Sequence, residues 1–225
     1  MNAKQLILGT VLGRLAMGAR DVWIAFRSPA DQYAMLLNDR LATELVVKLC
    51  PRGGHFIDVG AHIGSVIAAV LHLHHDRSIR VTAIEAVPAK ARALQRKFPE
   101  VTVHACAVGS SGGEVSFFVN SELSGYSSLA RQTGAVEIKT TMRRLDDLVD
   151  TADVVKIDVE GAELGVIQGA EQTIMKFRPR LVIEAHGLVN LSSLELRLKA
   201  MGMTISSNVK ASSRPNETRW FVFAS

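Results

Sequence analysis

From residue 56 onward, the chain alternates short apolar runs with segments whose apolar residues recur at helical spacing. The short runs predict buried strands, and the segments between them predict helices that cross from one strand to the next. This alternation is typical of an α/β fold, in which helices cover both faces of a mostly parallel sheet. The predicted parallel strands are Phe56–Gly60, Arg80–Glu85, Val101–Val108, Asp153–Val159 and Arg180–Ala185.

Helices are predicted between these strands, and the end of the chain changes its rhythm. The main predicted helices are Ile63–His74, Pro88–Phe98, Glu163–Lys176 and Ser192–Met201. The last two strands, Thr204–Val209 and Thr218–Ala224, are joined by a connection too short to hold a crossover helix. We therefore expect these two strands to be antiparallel.

A second pair of strands, Glu114–Val119 and Ala135–Met142, interrupts the alternation. Between them lies the polar segment Asn120–Gly134, which is longer than most loops and contains Tyr126, Ser127 and Ser128. Long loops are often functional or mobile. We expect this one to be either a lid over a binding site or a structural loop.

The N-terminal part of the chain shows only helical patterns. Apolar residues recur at helical spacing through Gln5–Phe26, which predicts a helix that packs on the domain or lies on a membrane surface. A second predicted helix, Asp39–Leu49, ends before the turn-forming residues Pro51–Gly54. We therefore expect a helical extension over residues 1–50 and one globular domain over residues 51–225.

Composition narrows the class of protein. A chain of 225 residues with 48% hydrophobic residues can bury the core of one domain. The net charge of +4 comes from scattered basic residues without an aromatic-interleaved face, so no nucleic-acid partner is expected. Cys50 and Cys106 are expected to be free thiols in a reducing compartment. The chain shows no spanning run or signal peptide, which predicts a cytoplasmic protein and leaves peripheral contact with the inner membrane face open.

The segment Phe56–Gly64 carries the first candidate chemistry. An apolar strand ends in the acid Asp58, and a glycine turn then leads into a helix. Gly60 and Gly64 allow the backbone to turn sharply and to approach a ligand, and the helix N-terminus offers free N–H groups. Open α/β sheets bind ligands at this edge, so Asp58, Gly60, Ala61 and Gly64 are candidate ligand contacts.

Glu85 ends the second strand, where a carboxylate can accept hydrogen bonds from the hydroxyls of a ribose. The turn Gly60–Gly64 lacks the middle glycine that admits a pyrophosphate, which disfavours a NAD-dependent oxidoreductase. Asp58 would repel a pyrophosphate but attract a cation. A ligand that combines adenosine with a sulfonium and an ammonium suits this site better, and that description fits S-adenosylmethionine.

Ionisable side chains also mark the ends of the fourth and fifth strands. Lys156, Asp158 and Glu160 share one strand face, and Glu184 and His186 share another. Strands that are covered on both faces should be apolar, so these exceptions indicate function, with structural ion pairs as the alternative. Asp158, Glu160 and His186 are candidates for the base that would remove a proton from an alcohol.

The same cluster contains ligands for a metal ion. Asp158, Glu184 and His186 offer oxygen and imidazole donors at neighbouring strand ends. A Mg²⁺ or Mn²⁺ ion among them would acidify a substrate hydroxyl. Both metal-dependent and metal-independent chemistry therefore stay open.

Several of these motifs resemble the FkbM-type methyltransferases, which belong to the Rossmann-like S-adenosylmethionine enzymes. The resemblance covers roughly Glu44 to His186. The motifs that carry it are FIDVGAHIG (Phe56–Gly64), AIEAVP (Ala83–Pro88), ACAVGSSGGEVSFF (Ala105–Phe118), SSL (Ser127–Leu129) and VVKIDVEGAELGVIQGA (Val154–Ala170). The last motif is the most specific. The chain departs from the family at His62 and Ala105, where the family often has Asn.

The resemblance implies a class I methyltransferase fold, with a seven-stranded, mostly parallel sheet, an antiparallel last strand and helices on both faces. It implies methyl transfer to a hydroxyl of a sugar, glycolipid or natural product. A nucleic-acid methyltransferase and a non-catalytic cofactor-binding module are the alternatives, and the oligomeric state is undetermined. By resemblance, the cofactor contacts are Asp58, Gly60, Ala61, Gly64, Glu85, Ala86, Ala107 and Val108, and the residues near the transferred methyl are Asp158 and Glu160.

Overall fold

The computed structural model describes residues 43–73, 78–119, 127–128, 136–210 and 219–225. Its central element is a seven-stranded sheet. The strands are β1 (His55–Val59), β2 (Arg80–Ile84), β3 (Thr102–His104), β8 (Val154–Ile157), β9 (Arg180–His186), β10 (Ile205–Lys210) and β11 (Arg219–Ala224). They lie in the order β10-β11-β9-β8-β1-β2-β3, and β11 is antiparallel to both of its neighbours. The predicted fold class and the antiparallel end of the chain are confirmed.

A smaller sheet contains β4 (Ala107–Val108), β5 (Gly113–Val119), β6 (Ser127–Ser128) and β7 (Val136–Arg143), in the order β4-β7-β5-β6. The prediction of a single strand over Val101–Val108 was wrong. Thr102–His104 pairs with β2, whereas Ala107–Val108 pairs with β7 in the smaller sheet. An apolar run predicts extended backbone, but it does not say which sheet the backbone joins.

The helices are α1 (43–49), α2 (Ser65–Leu73), α3 (Pro88–Lys97), α4 (Glu163–Gly169), α5 (Glu171–Phe177) and α6 (Leu188–Ala200), with a 3₁₀ turn at Leu145–Asp147. The predicted helix over Glu163–Lys176 is divided at Ala170, whose φ of −109° and ψ of 9° are not helical. Gly169 packs there against the backbone of Gly109, so close that a Cβ would lie 1.9 Å from the Gly109 carbonyl oxygen. Among the described residues, no helix combines the length and apolar character needed to cross a membrane.

The core has two layers, one on each face of the large sheet. Phe56 packs with Val46, Ile67 and Leu94 of α1, α2 and α3 on one face. On the other face, the next residue, Ile57, belongs to a cluster with residues of α4, α5 and α6. Because neighbouring strand residues point to opposite faces, each central strand contributes to both layers. Cys50 and Cys106 are buried free thiols, as predicted.

Some predictions fall on other parts of the chain. The helix over Gln5–Phe26 and the start of the helix over Asp39–Leu49 lie outside the described residues, so the division at residue 50 stays a prediction. Within the predicted loop Asn120–Gly134, the structure describes Ser127–Ser128, which pair with Phe118 and Val119 of β5. The remaining residues of that loop lie outside the described part.

Candidate active site

Asp58 and Lys156 face each other across β1 and β8 at the carboxyl end of the sheet. The Lys156 Nζ lies 3.4 Å from Asp58 Oδ1 and 3.5 Å from Asp158 Oδ2. Burial raises the pKa of Asp58, and Lys156 opposes this shift. Burial disfavours the charge on Lys156, but the carboxylates around it outweigh that effect and raise its pKa. Lys156 therefore stays charged and neutralises part of a buried acidic cluster.

The turn after β1 is held tightly against two neighbouring strands. The N–H groups of Gly60 and Ala61 both donate to the Ile84 carbonyl oxygen, at 3.0 and 3.1 Å. Gly60 has a φ of +82°, and a Cβ at this position would lie 1.8 Å from the Asp158 carbonyl oxygen. His62 has a φ of +49°, a region that Asn and His tolerate better than most residues. The backbone conformation thus accounts for the residue type at the position where the family often has Asn.

Glu85 is fixed by the backbone on both sides of its carboxylate. Its Oε2 accepts a hydrogen bond from the His62 N–H at 2.8 Å, and its Oε1 accepts one from the Val87 N–H at 2.9 Å. Burial raises the pKa of Glu85, and these two N–H groups oppose the shift. Each carboxylate oxygen can accept a further hydrogen bond, so the fixed side chain is ready for a pair of hydroxyl donors.

Two adjoining cavities open at this edge of the sheet. The Glu85 cavity is lined by Val59, Gly60, His62, Ile84, Glu85, Ala86, Lys90, Cys106, Ala107, Val108, Asp158, Val159, Glu160 and Ala162. The Lys156 cavity is lined by Thr43, Asp58, Gly60, Ala61, His62, Ile63, Ser65, Val66, Lys156, Asp158 and Glu184. They share Gly60, His62 and Asp158, so Asp158 is the carboxylate common to both cavities.

The predicted site residues divide between these cavities. Those in the Glu85 cavity are Gly60, Glu85, Ala86, Ala107, Val108, Asp158 and Glu160, and those in the Lys156 cavity are Asp58, Gly60, Ala61, Asp158 and Glu184. Gly64 and His186 line neither of the two. Gly64 faces α3 instead, where a Cβ would lie 2.5 Å from the Phe98 ring. Lys90 and Cys106 line the Glu85 cavity although the sequence patterns did not select them as site residues.

His186 lies among carboxylates just behind the cavities. Its Nε2 is 3.3 Å from Glu160 Oε2 and 3.7 Å from Glu184 Oε1, and its Nδ1 is 2.9 Å from Glu163 Oε1. Burial disfavours the charge on the ring, but the Glu163 hydrogen bond and the charges of Glu163, Glu160 and Asp158 outweigh it and raise the pKa of His186 to about 9. The ring is therefore protonated at neutral pH.

Glu163 is a further residue next to the site that the sequence pattern did not select. An acid at the first position of a helix is ordinarily read as a favourable charge at the helix N-terminus, and Glu163 fits that description. The structure buries it completely, against His186 and Asn190. No local pattern reveals this, because β9 and α6 reach Glu163 only in the folded chain.

The predicted metal ligands do meet. Among the described residues, Asp158, Glu184 and His186 each offer a ligand atom, and these atoms lie within 4.8 Å of one another. Carboxylate oxygens with an imidazole suit Mn²⁺ and, less well, Mg²⁺. An ion would have to displace the Nε2 proton of His186, and the metal site stays a prediction.

Two features define the class of this protein. The large sheet has an antiparallel strand next to β9, and a glycine turn meets two acids at the carboxyl ends of its parallel strands. Together they define a Rossmann-like protein of the methyltransferase class. Residues 58–202, more than half of the chain, match the methyltransferase FkbM domain. The chain belongs to this family. Among curated proteins, no sequence matches the chain.

Solved structures share the fold at low sequence identity. A methyltransferase FkbM from Methylobacillus flagellatus KT superposes with a TM-score of 0.55 and 19% identity, over 85% of this chain and 60% of that one. A precorrin-6y C5,15-methyltransferase from Geobacter metallireducens GS-15 superposes with a TM-score of 0.50 and 16% identity, over 83% of this chain and 86% of that one. The chain thus spans three fifths of the Methylobacillus protein.

The residues fit the cofactor of this family, S-adenosylmethionine. Gly60, where a Cβ would collide with the Asp158 carbonyl oxygen, lines both cavities with backbone atoms alone. Glu85 presents a fixed acceptor pair for a ribose, and the Lys156 cavity carries an excess of carboxylates suited to cationic groups. Asp158 joins the two parts at their junction.

Proposed function

We propose that the protein is an S-adenosylmethionine-dependent O-methyltransferase that acts on a hydroxyl group of a sugar, glycolipid or natural product. The observation that carries the proposal is Asp158, the carboxylate shared by the Glu85 cavity and the Lys156 cavity. A carboxylate at that junction is suited both to attract a sulfonium and to accept a proton from an alcohol.

The residues have separate roles in holding the cofactor, which supplies a methyl group already activated on sulfur. Glu85 would accept hydrogen bonds from the ribose, and the apolar pair Ala107 and Val108 would flank the adenine. Asp58, kept beside Lys156, gives the second cavity its negative character while Lys156 limits the repulsion among the acids. Such fixed charges and contacts align the reacting groups, and alignment supplies much of the rate in a displacement reaction.

The acceptor hydroxyl must lose a proton as it attacks, and the candidates are Asp158, Glu160 and His186. Asp158 and Glu160 line the Glu85 cavity, whereas His186 lies behind them and is protonated at neutral pH. We therefore assign proton removal to one of the two carboxylates. The His186 imidazolium, 3.3 Å from Glu160 Oε2, stabilises the negative charge of that carboxylate.

The acid-rich edge also favours one class of acceptor over another. Asp58, Asp158 and Glu184 line the Lys156 cavity and Glu160 lines its neighbour, so a phosphate backbone would be repelled there. Neutral hydroxyl groups are good donors to carboxylates. These charges support a sugar or natural-product hydroxyl over the alternative of a nucleic acid.

The direct test is to incubate the purified protein with S-adenosylmethionine bearing a deuterated methyl group and with a panel of glycosides, glycolipids and an RNA pool. We expect mass spectrometry to find one labelled methyl on a hydroxyl-bearing acceptor and none on RNA. Labelled RNA would favour the nucleic-acid alternative. Cofactor binding without transfer to any acceptor would favour a non-catalytic binding module.

A divalent cation is a second element of the proposal, supported by the closeness of Asp158, Glu184 and His186. Mg²⁺ or Mn²⁺ held by these side chains would have to displace the Nε2 proton of His186, and it would lower the pKa of an acceptor hydroxyl. Full chelation should then stop methyl transfer, and adding Mn²⁺ or Mg²⁺ back should restore it. Transfer that survives chelation would remove the metal from the mechanism.

A further inference from the structure

Glu163 is a completely buried carboxylate at the first residue of α4. Burying a charge is costly unless partners satisfy it. The Glu163 Oε1 accepts hydrogen bonds from the Gly161 N–H and from His186 Nδ1, both at 2.9 Å, and its Oε2 accepts one from Asn190 Nδ2. One side chain therefore joins the turn after β8, the end of β9 and the start of α6.

These contacts hold the turn that carries Glu160 and the ring of His186. Glu160 has a φ of +53°, a strained conformation for a residue with a side chain, and the next residue, Gly161, has a φ of +106°. The Gly161 N–H bonded to Glu163 fixes the backbone just after Glu160. The Nδ1 contact fixes the ring of His186 so that Nε2 points toward Glu160 and Glu184. Glu163 thus determines the placement of both members of the His186–Glu160 pair.

A favourable charge at a helix N-terminus does not explain this arrangement. Such an acid acts through the free N–H groups of its own helix and works equally well on the surface. Glu171, the first residue of α5, is about one-third exposed and pairs at the surface with a single side chain, that of Arg197, at 2.6 Å. Glu163 instead bonds to residues of β9, α6 and the preceding turn.

We propose that Glu163 is a positioning residue of the methyl-transfer site, which orients the His186 ring and the turn that carries Glu160 without lining either cavity. The consequence for catalysis rests on the proposed function. The orientation itself is a property of the protein alone, so it can be measured without an acceptor.

The test compares Glu163→Gln with Glu171→Gln, a matched change at the first residue of the adjacent helix. The Gln side chain keeps the shape and one acceptor oxygen but removes the negative charge. In the ¹⁵N-labelled full chain with chelator present, we expect Glu163→Gln to shift both the Gly161 amide signal and the hydrogen-bonded Nδ1 proton signal of His186, assigned through His186→Gln. Glu171→Gln should leave both signals unchanged. Unaltered signals in folded Glu163→Gln would overturn the proposal.

Kinetics then separate positioning from a purely structural role. With the acceptor found in the methylation screen, Glu163→Gln should lower kcat about 100-fold, the scale of a small misplacement of reacting groups, with little change in KM or in the Kd of S-adenosylhomocysteine. Glu163→Gln combined with His186→Gln should lose less activity than the product of the two single losses, because the two variants share the loss of the Glu163–His186 contact. A loss of kcat that only matches the fraction of unfolded protein would contradict the proposal. So would a double variant whose loss of kcat equals the product of the two single losses. If the native protein methylates nothing, the proposed function fails, while the two signals still decide the role of Glu163.

Discussion

Gly60 packs against Asp158 so closely that no side chain fits between them. A Cβ at Gly60 would lie 1.8 Å from the Asp158 carbonyl oxygen, and the φ of Gly60 is +82°. The N–H of Asp158 also donates to the Val59 carbonyl oxygen at 3.0 Å, so the two strand ends cannot easily separate. The glycine turn therefore lines both cavities and packs β1 against the end of β8.

The first prediction concerns this contact. Gly60→Ala should destabilise the protein by about 3 kcal/mol, because overpacking against backbone adds to the strain of a positive φ. The same change should abolish binding of S-adenosylhomocysteine, measured by calorimetry in the fraction that remains folded. Gly53→Ala is the matched control, since Gly53 also has a positive φ of +67° but a Cβ there meets nothing within 4 Å. Equal losses of stability in both variants would show that the clash with Asp158 is unimportant.

The second prediction concerns Glu85, whose two oxygens each accept one backbone N–H. In Glu85→Gln, the new NH₂ group would face a backbone N–H group, so two donors would meet. The pair of acceptor oxygens for a ribose would also be lost. Binding of S-adenosylhomocysteine should weaken by about 10- to 100-fold, the usual value of hydrogen bonds to a charged group. Calorimetry on Glu114→Gln, a change at an exposed acid paired with Lys139, should give the native Kd. Native affinity in Glu85→Gln would place the ribose elsewhere.

The third prediction concerns Asp146, which fastens the start of α5 to the 3₁₀ turn. Its Oδ1 accepts hydrogen bonds from the N–H and the hydroxyl of Thr173, both at 2.8 Å. Burial opposes the charge of Asp146, but bonds from Thr173 and Arg144 outweigh it and lower the pKa. We expect Asp146→Asn to lower the free energy of unfolding at pH 7 by about 2 kcal/mol.

The direction in which folding shifts the pKa of Asp146 determines how this loss of stability depends on pH. Because folding lowers the pKa of Asp146, its stabilisation is complete above the ordinary pKa of an Asp and disappears as the pH falls through the lower folded value. Urea unfolding of native protein and Asp146→Asn should therefore converge in acid. Asp147→Asn, at an exposed neighbour, serves as the control and should show no such convergence. A difference in the free energy of unfolding between native protein and Asp146→Asn that stays constant with pH would contradict a stabilising role for the charge of Asp146.

The fourth prediction concerns His55, a buried histidine at the opposite end of the sheet. Its Nδ1 lies 2.7 Å from the Thr151 carbonyl oxygen and its Nε2 lies 2.8 Å from the Thr82 hydroxyl, which suits a neutral ring. Burial, with the charge of Arg80, lowers the pKa of His55. The unfolded chain therefore binds a proton here at a higher pH than the folded chain does.

Stability from His55 is accordingly complete above the ordinary pKa of histidine, about 6.5, and is lost as the pH falls below that value. Urea midpoints of the native protein should fall between pH 7.5 and pH 5.5 more steeply than those of His55→Gln. The difference between the two slopes isolates His55 from the other titrating groups. Parallel slopes would mean that folding does not lower the pKa of His55.

Much of the architecture could be predicted because it depends on local periodicity. Strand residues with period two and helices with period 3.6 are visible without a partner, and so is a connection too short for a crossover. The predictions failed where one apolar stretch is divided between two sheets and where a helix is interrupted beside a close backbone contact. Val101–Val108 is uniformly extended in pattern, yet residues after His104 leave β2 and join β7. The predicted helix from Glu163 breaks at Ala170, next to the point where Gly169 packs on the backbone of Gly109.

The candidate site was predictable to the extent that it consists of strand ends. Asp58, Glu85, Asp158 and Glu160 could be selected because acids rarely end buried parallel strands without a role. The pairing of Lys156 with Asp58 required the register of β1 and β8. Its consequence, a lysine held charged inside an acidic cluster, could not be read from the spacing of the residues alone.

Taken alone, the amino-acid sequence determined the α/β class, the glycine turn and the acids at the carboxyl edge, because these follow from short-range sterics and periodic burial. Only the tertiary structure decided that Glu163 lies behind the site and that the carboxylates around His186 raise its pKa. Both depend on β9 and α6 packing against a residue more than twenty positions earlier in the chain. The electrostatics of a buried group are set by whatever surrounds it in space, and neighbours in sequence are only a small part of that surrounding.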